Sequence, residues 1–102
     1  MAEIKLAFLP EFREAMLSGR KTATTRRGVH GEVGDTFEAW GRTFLITGVR
    51  DVRLRTVDEV YYHAEGLMAP DYFRVAWRHC GKRWTPDARV WLHFFRLLPT
   101  EA

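Results

Sequence analysis

An α+β domain built on one small, curved β-sheet of five or six strands, with two to three short helices, is the fold class this sequence predicts. Three observations carry it. Two strand-like runs, Thr36–Trp40 and Thr43–Leu54, flank the tight turn Trp40-Gly41-Arg42, where glycine accepts the positive φ of a hairpin. The closing run Arg89–Leu98 alternates Val90, Leu92 and Phe94 against Trp91, His93 and Phe95, and a strand apolar on both faces belongs inside a sheet or in a barrel wall. The remaining segments carry helix start and stop signals. At 102 residues the chain is one domain, 1–102, large enough for a single modest core and too short for two.

Each element follows from its residues. Ile4–Leu9 reads as a strand stopped by Pro10, and Pro10 then opens a helix, because its missing amide costs nothing in a first turn. Phe12, Ala15, Met16 and Leu17 fall at helical spacing before Gly19 ends the helix. Gly31–Asp35 is rich in turn residues and feeds the first hairpin strand. The second hairpin strand bends near Gly48, with Phe44 and Ile46 facing inward. Thr56-Val57-Asp58-Glu59 has the pattern of a capping box, which starts a short helix at Val57. A further helix opens at Ala69-Pro70-Asp71 and buries Phe73, Val75, Ala76 and Trp77 until Gly81. Pro99–Ala102 reads as a tail.

Composition removes several classes. With 46% hydrophobic and 14% aromatic residues the chain is not a disordered one. Cys80 is the single cysteine, so no intramolecular disulfide forms. His30, His63, His79 and His93 are scattered, and neither HExxH nor paired CxxC occurs, so no metal and no other cofactor is expected. No apolar run reaches the roughly 18 to 20 residues of a membrane span, and no signal peptide is evident, which gives the expectation of a soluble cytoplasmic monomer with no membrane partner. A net charge of +3 is compatible with nucleic acid without demanding it.

The segment Gly19–Gly28 holds four cations and three threonines between two glycines and offers a core almost nothing. Such a donor-rich loop on a rigid scaffold is where binding and catalysis usually sit. Arginine forks fit phosphates and carboxylates. A threonine hydroxyl becomes a nucleophile when a neighbouring amine takes its proton, and Lys21 with Thr24 is the candidate pair. In a regular strand the two would point to opposite faces, while Thr22, Thr24 and Arg26 would share one. Catalysis by the pair therefore requires a turn between Lys21 and Thr24.

Gly19-x-Lys21-x-x-Thr24-x-Arg26, followed by Val33-Gly34-Asp35, then Ala64-Glu65-Gly66-Leu67 and a final apolar strand, resembles the ASCH domain family over about residues 4–98. The resemblance implies a PUA-like curved β-barrel with a cleft beside it, a fold associated with RNA. The small single-domain members include amidohydrolases that deacetylate N4-acetylcytidine, with a lysine, a threonine and a later glutamate as the catalytic group. The matching positions are Lys21, Thr24 and Glu65. On this reading the substrate is a modified nucleoside, Thr24 attacks the acetyl carbonyl, Lys21 takes its proton, Glu65 helps the amine leave and Arg26 steadies the oxyanion. Two alternatives stand beside it: an RNA-binding module without catalysis, and a ribonuclease.

Electrostatics constrains Lys21. To act as a base near pH 7 its pKa must fall about three units from ~10.4, roughly 4 kcal/mol. One arginine about 4 Å away supplies on the order of that amount, and a close Glu65 carboxylate opposes it. Lys21 is thus a base only if Glu65 stands off or itself holds a proton, and otherwise it is a fixed cation. Arg20, Thr22, Arg26, Arg27, Arg83 and Trp84 are the candidate substrate- or RNA-binding residues, with Trp84 exposed for stacking and Trp77 in the core. Tyr62 and His63 are expected to pack or line the rim.

Overall fold

Trp40 and Gly41 both take left-handed backbone angles, φ 58° and 72°, the two-residue turn that matches the twist of a hairpin. A computed structural model describes residues 2–100. The turn joins β3 (Thr36–Ala39) to β4 (Arg42–Arg53), pairing Ala39 with Arg42 and Phe37 with Phe44. Trp40 is held in its uncommon conformation by packing on the core, with its indole Nε1 3.3 Å from Met16 Sδ. β4 pairs along its length with β5 (Arg89–Leu97), and the register slips between Ile46 and Gly48, the bend expected at that glycine.

β5 is covered on both faces. Phe95 enters a cluster with Leu6, Met16, Phe37, Phe44 and Ile46, while Val90 enters a cluster under the helices and Leu92 packs with Ala23 and Ala64. β2 (Ala23–Arg26) lies antiparallel on its far side, and β1 (Glu3–Ile4) runs parallel to β3 at the opposite edge. The five-stranded sheet has the order β1-β3-β4-β5-β2. It is a curved open sheet with two edges, not a closed barrel.

β1 is shorter than the strand expected over Ile4–Leu9. Leu6 and Phe8 leave the ladder to pack on the Phe37 cluster, so burial wins over further pairing. A turn of 3-10 helix at Pro10–Phe12 then leads into α1 (Arg13–Leu17), which buries Ala15 and Met16 and ends before Gly19 at φ 84°. α2 (Leu54–Glu59) starts three residues ahead of the helix start expected at Val57. Its first amides are capped from outside: Leu54 donates to the Ala88 carbonyl and Arg55 to that of Pro86, both at 2.9 Å. Asp58 instead caps the next helix, accepting from the amides of Asp71 and Arg74 at the start of α3 (Tyr72–His79). In α3 Phe73 and Trp77 are buried, four residues apart, whereas Val75 lies on the outer face at 64% exposure, against the expectation of burial.

His93 is buried inside this sheet. Its Nε2 accepts from the His30 amide at 3.0 Å while Nδ1 sits 3.1 Å from the Trp91 carbonyl, which assigns the neutral ring with the proton on Nδ1. Burial holds its pKa below 6.5, with the Trp91 carbonyl opposing and His30 and Arg26 adding to the drop. The folded chain then binds fewer protons than the unfolded one just below pH 6.5, so stability falls as pH drops through that window. Melting temperatures between about pH 5 and 7, above the carboxylate range, should show this decline in the wild type and a flatter profile in His93→Gln. Equal slopes would assign the decline to other groups.

Candidate active site

The segment after α1 is locked before it becomes a strand. Lys21 N donates to the Ala15 carbonyl at 2.9 Å, and Lys21 forms an isolated antiparallel bridge with Glu65. Thr22 and Ala23 then both donate to the Ala64 carbonyl, at 2.7 and 2.9 Å. Two residues facing one is the pattern of a β-bulge, and it lies between Lys21 and Thr24 at the edge of the sheet. Both side chains line one cleft.

Glu65 arrives from the other direction on a tight turn, in which Gly66 N donates to the His63 carbonyl at 3.0 Å. Gly66 has φ 86°, and a Cβ placed there would lie 2.9 Å from Lys21 Cβ and 3.3 Å from Ala15 Cβ. The Glu-Gly step is thus set by close approach as well as by backbone angle. Gly66→Ala is expected to cost on the order of 3 kcal/mol from strain and crowding together. Gly28→Ala, where nothing lies within 4 Å, is the control, and urea denaturation of both variants compares them. Equal stability of the two would show that the turn adapts freely.

At the floor of the cleft Lys21 and Glu65 are 2% and 4% exposed. Lys21 Nζ donates to Glu65 Oε1 at 2.5 Å, to the Ala23 carbonyl at 2.8 Å and to the Glu65 carbonyl at 3.3 Å. That occupies all three ammonium donors. The other carboxylate oxygen, Glu65 Oε2, accepts from the Thr25 hydroxyl at 2.5 Å. Burial lowers the Lys21 pKa most strongly, Glu65 raises it through charge and hydrogen bond, and Arg26 lowers it further; the net direction is down from 10.5. Desolvation, not a neighbouring arginine, is therefore the main cause.

Thr24 is 5% exposed, and its Oγ1 accepts from Arg26 Nε at 3.3 Å. Arg26 also donates to the Ala7 carbonyl at 2.7 Å and lies over the Phe8 ring, 5.1 Å from its centre. The Thr24–Arg26 contact places the two on one side of the strand. Phe8 and Phe12 form one wall of the cleft and Phe73 and Trp77 the other, enclosing about 110 Å³.

Sequence reasoning missed Thr25. It sits one residue beyond Thr24, on the face that alternation assigns away from Thr24 and Arg26, and its partner comes from 40 residues further along the chain. Of the other candidates, Arg27 lies just beside the cleft, 5.9 Å from the Trp77 ring. Arg20 is outside it, paired with Glu14 on α1. Thr22 acts through its backbone, donating to Ala64 and accepting from the Phe95 amide. Arg83 is exposed and holds Trp77 through its carbonyl, which accepts from Trp77 Nε1 at 3.0 Å. Trp84 is half-buried against Phe73 with Arg74 over its ring, not exposed as expected. Tyr62 is half-buried and His63 exposed, and neither lines the cleft. Among the described residues no three His, Cys, Asp or Glu side chains cluster as a metal site requires, and no helix is long and apolar enough to cross a membrane.

No protein-family model matches this sequence, and no curated protein does. Solved structures do match its fold. The crystal structure of an ASCH domain from Lactobacillus crispatus JV V101 superposes with a TM-score of 0.72 at 17% identity, covering 94% of this chain and 79% of that one. Protein EF3133 from Enterococcus faecalis V583, a DUF984 protein, gives 0.61 at 19% identity, over 95% and 75% of the two chains. The hypothetical protein PH0355 gives 0.59 at 15% identity, over 95% and 98%. The hairpin, the buried strand β5, the helices packed beside it and the cleft at the β2 edge are thus arranged on the fold of an ASCH domain.

Proposed function

We propose that the protein is an amidohydrolase that removes the acetyl group of N4-acetylcytidine or a related N-acylated nucleoside. The observation that carries this reading is the desolvated Lys21–Glu65 pair at the floor of a cleft that Thr24 also lines. A buried ion pair costs desolvation free energy that a surface contact to phosphate does not need, and perturbed groups of this kind concentrate at catalytic sites.

The short Lys21–Glu65 contact makes the two a single proton-holding unit. Lys21 passes a proton to Glu65 and so becomes a neutral amine, which meets the condition that Glu65 be protonated while Lys21 acts as base. Thr24 Oγ1 attacks the acetyl carbonyl carbon as its proton moves to Lys21, and Arg26 stabilises the oxyanion. Collapse of the intermediate breaks the C–N bond, and Glu65 returns its proton to the leaving amino nitrogen. Cytidine departs and Thr24 carries the acetyl ester. Water then adds to the ester and gives up its proton through the same pair, acetate leaves, and the Thr24 hydroxyl is restored.

The test is incubation of the purified protein with N4-acetylcytidine, with cytidine and acetate followed by chromatography. Release of both in equal amounts is the expected result. Absence of release at enzyme concentrations approaching those of the substrate would overturn the reading.

A further inference from the structure

The lip of the cleft holds positive charge, on Arg27 and Lys82, that deacetylation does not use. Glu65 is the one carboxylate among the described residues lining the cleft, and Lys21 and Thr25 already occupy both its oxygens. Arg26 and Lys82 line the same cleft and Arg27 lies beside it. Among the described residues none of these three pairs with a carboxylate.

Lys82 differs from an ordinary surface lysine. It is half-buried, with its ammonium 4.3 Å from the centre of the Trp77 ring, a contact that holds the charge over the cleft wall. The left-handed Gly81, φ 78°, turns the chain back at the end of α3, and Lys82 N donates to the Trp77 carbonyl at 3.4 Å. Trp77 is pinned in turn by its bond to the Arg83 carbonyl. Burial lowers the Lys82 pKa most, and Arg26 and Arg27 lower it further while Cys80 and Glu65 raise it, so an arriving anion would relieve the repulsion from the two arginines.

We propose that Arg27 and Lys82 form an anion subsite that takes the 5′-phosphate of a mononucleotide, making a phosphorylated N-acylated cytidine the preferred substrate. This rests on the deacetylase reading of the floor of the cleft. A phosphate monoester carries about −1.5 to −2 charge at pH 7 and matches the unpaired cations. The aromatic walls are left for the base. A longer RNA strand would need stacking surface for neighbouring bases, and Trp84 is already packed on Phe73.

The experiment compares kcat/KM for N4-acetylcytidine and its 5′-monophosphate, with the wild type and Lys82→Gln, beside calorimetric binding of cytidine and cytidine 5′-monophosphate. The monophosphate should be favoured about tenfold or more by the wild type, and Lys82→Gln should cut that preference to about twofold by weakening the nucleotide more than the nucleoside. Turnover of both at equal kcat/KM overturns the subsite and leaves the deacetylase reading standing. Turnover of neither overturns the deacetylase reading, and calorimetry then decides the subsite: cytidine 5′-monophosphate about tenfold tighter than cytidine supports it, and equal affinities overturn it. Faster turnover of an N4-acetylcytidine residue within a short RNA than of the mononucleotide overturns the choice of a mononucleotide.

Discussion

Thr24→Ala should lower turnover of N4-acetylcytidine by on the order of 10³-fold or more while leaving nucleoside affinity within about threefold. In the proposed mechanism the hydroxyl forms the bond to the acetyl carbon and adds little to ground-state binding, so the loss falls on kcat. Thr24→Ser keeps the nucleophile and should retain most of the rate. Lys21→Ala should be comparably inactive. Because nucleophile and base act in one step, the double variant should be little worse than either single one. Losses that multiply strictly would show that Lys21 and Thr24 do not act together, and the scheme in which Lys21 accepts the Thr24 proton would fail.

The second large effect is on stability. Lys21→Met leaves Glu65 buried, 4% exposed, with only Thr25 for a partner. Removing one member of a buried pair costs about 3–5 kcal/mol, because the remaining charge has lost its compensation. Lys21→Met/Glu65→Gln removes both charges and keeps an acceptor for Thr25, so it should regain most of that loss while remaining inactive. Urea denaturation of the wild type, the two single variants and the double variant at pH 7 measures the coupling directly. A Lys21→Met variant as stable as the wild type would mean that water reaches the pair.

Local signals in the chain were most legible where one residue dictates geometry. Pro10 opened a helical turn, the Trp40-Gly41 turn fixed the hairpin, Gly48 marked the slipped register and Gly19 ended α1. Long-range pairing was not legible. The Thr56–Glu59 pattern looked like a cap, but the amides of α2 are taken by Ala88 and Pro86, some 30 residues away, leaving Asp58 to cap α3. Likewise the expected strand at Ile4–Leu9 lost most of its length to the core, and Val75 faced outward because Phe73 and Trp77 define the buried stripe.

For the site, the motif spacing placed Lys21, Thr24 and Arg26 at the cleft, and the resemblance added Glu65. That the cleft wraps the β2 edge, so that Lys21 and Thr25 line it together with Thr24, depends on the segment carrying Ala64 and Glu65, which no local rule around residue 22 reveals. Thr25 was hidden for the same reason. Its role is set by a carboxylate that only tertiary structure brings near.

The double bond to the Ala64 carbonyl also ties the site to the motions of the chain. Residues 61–67 form no strand or long helix, and their hold on β2 and the residues leading into it runs through the Lys21–Glu65 bridge, the Thr25 hydroxyl on Glu65 and the two amides of Thr22 and Ala23. A local opening of this arm would free those amides to solvent and carry Glu65 away from Lys21 in the same event. Amide exchange at Thr22 and Ala23 is therefore a direct gauge of how often the Lys21–Glu65 pair comes apart, independent of the global unfolding of the sheet.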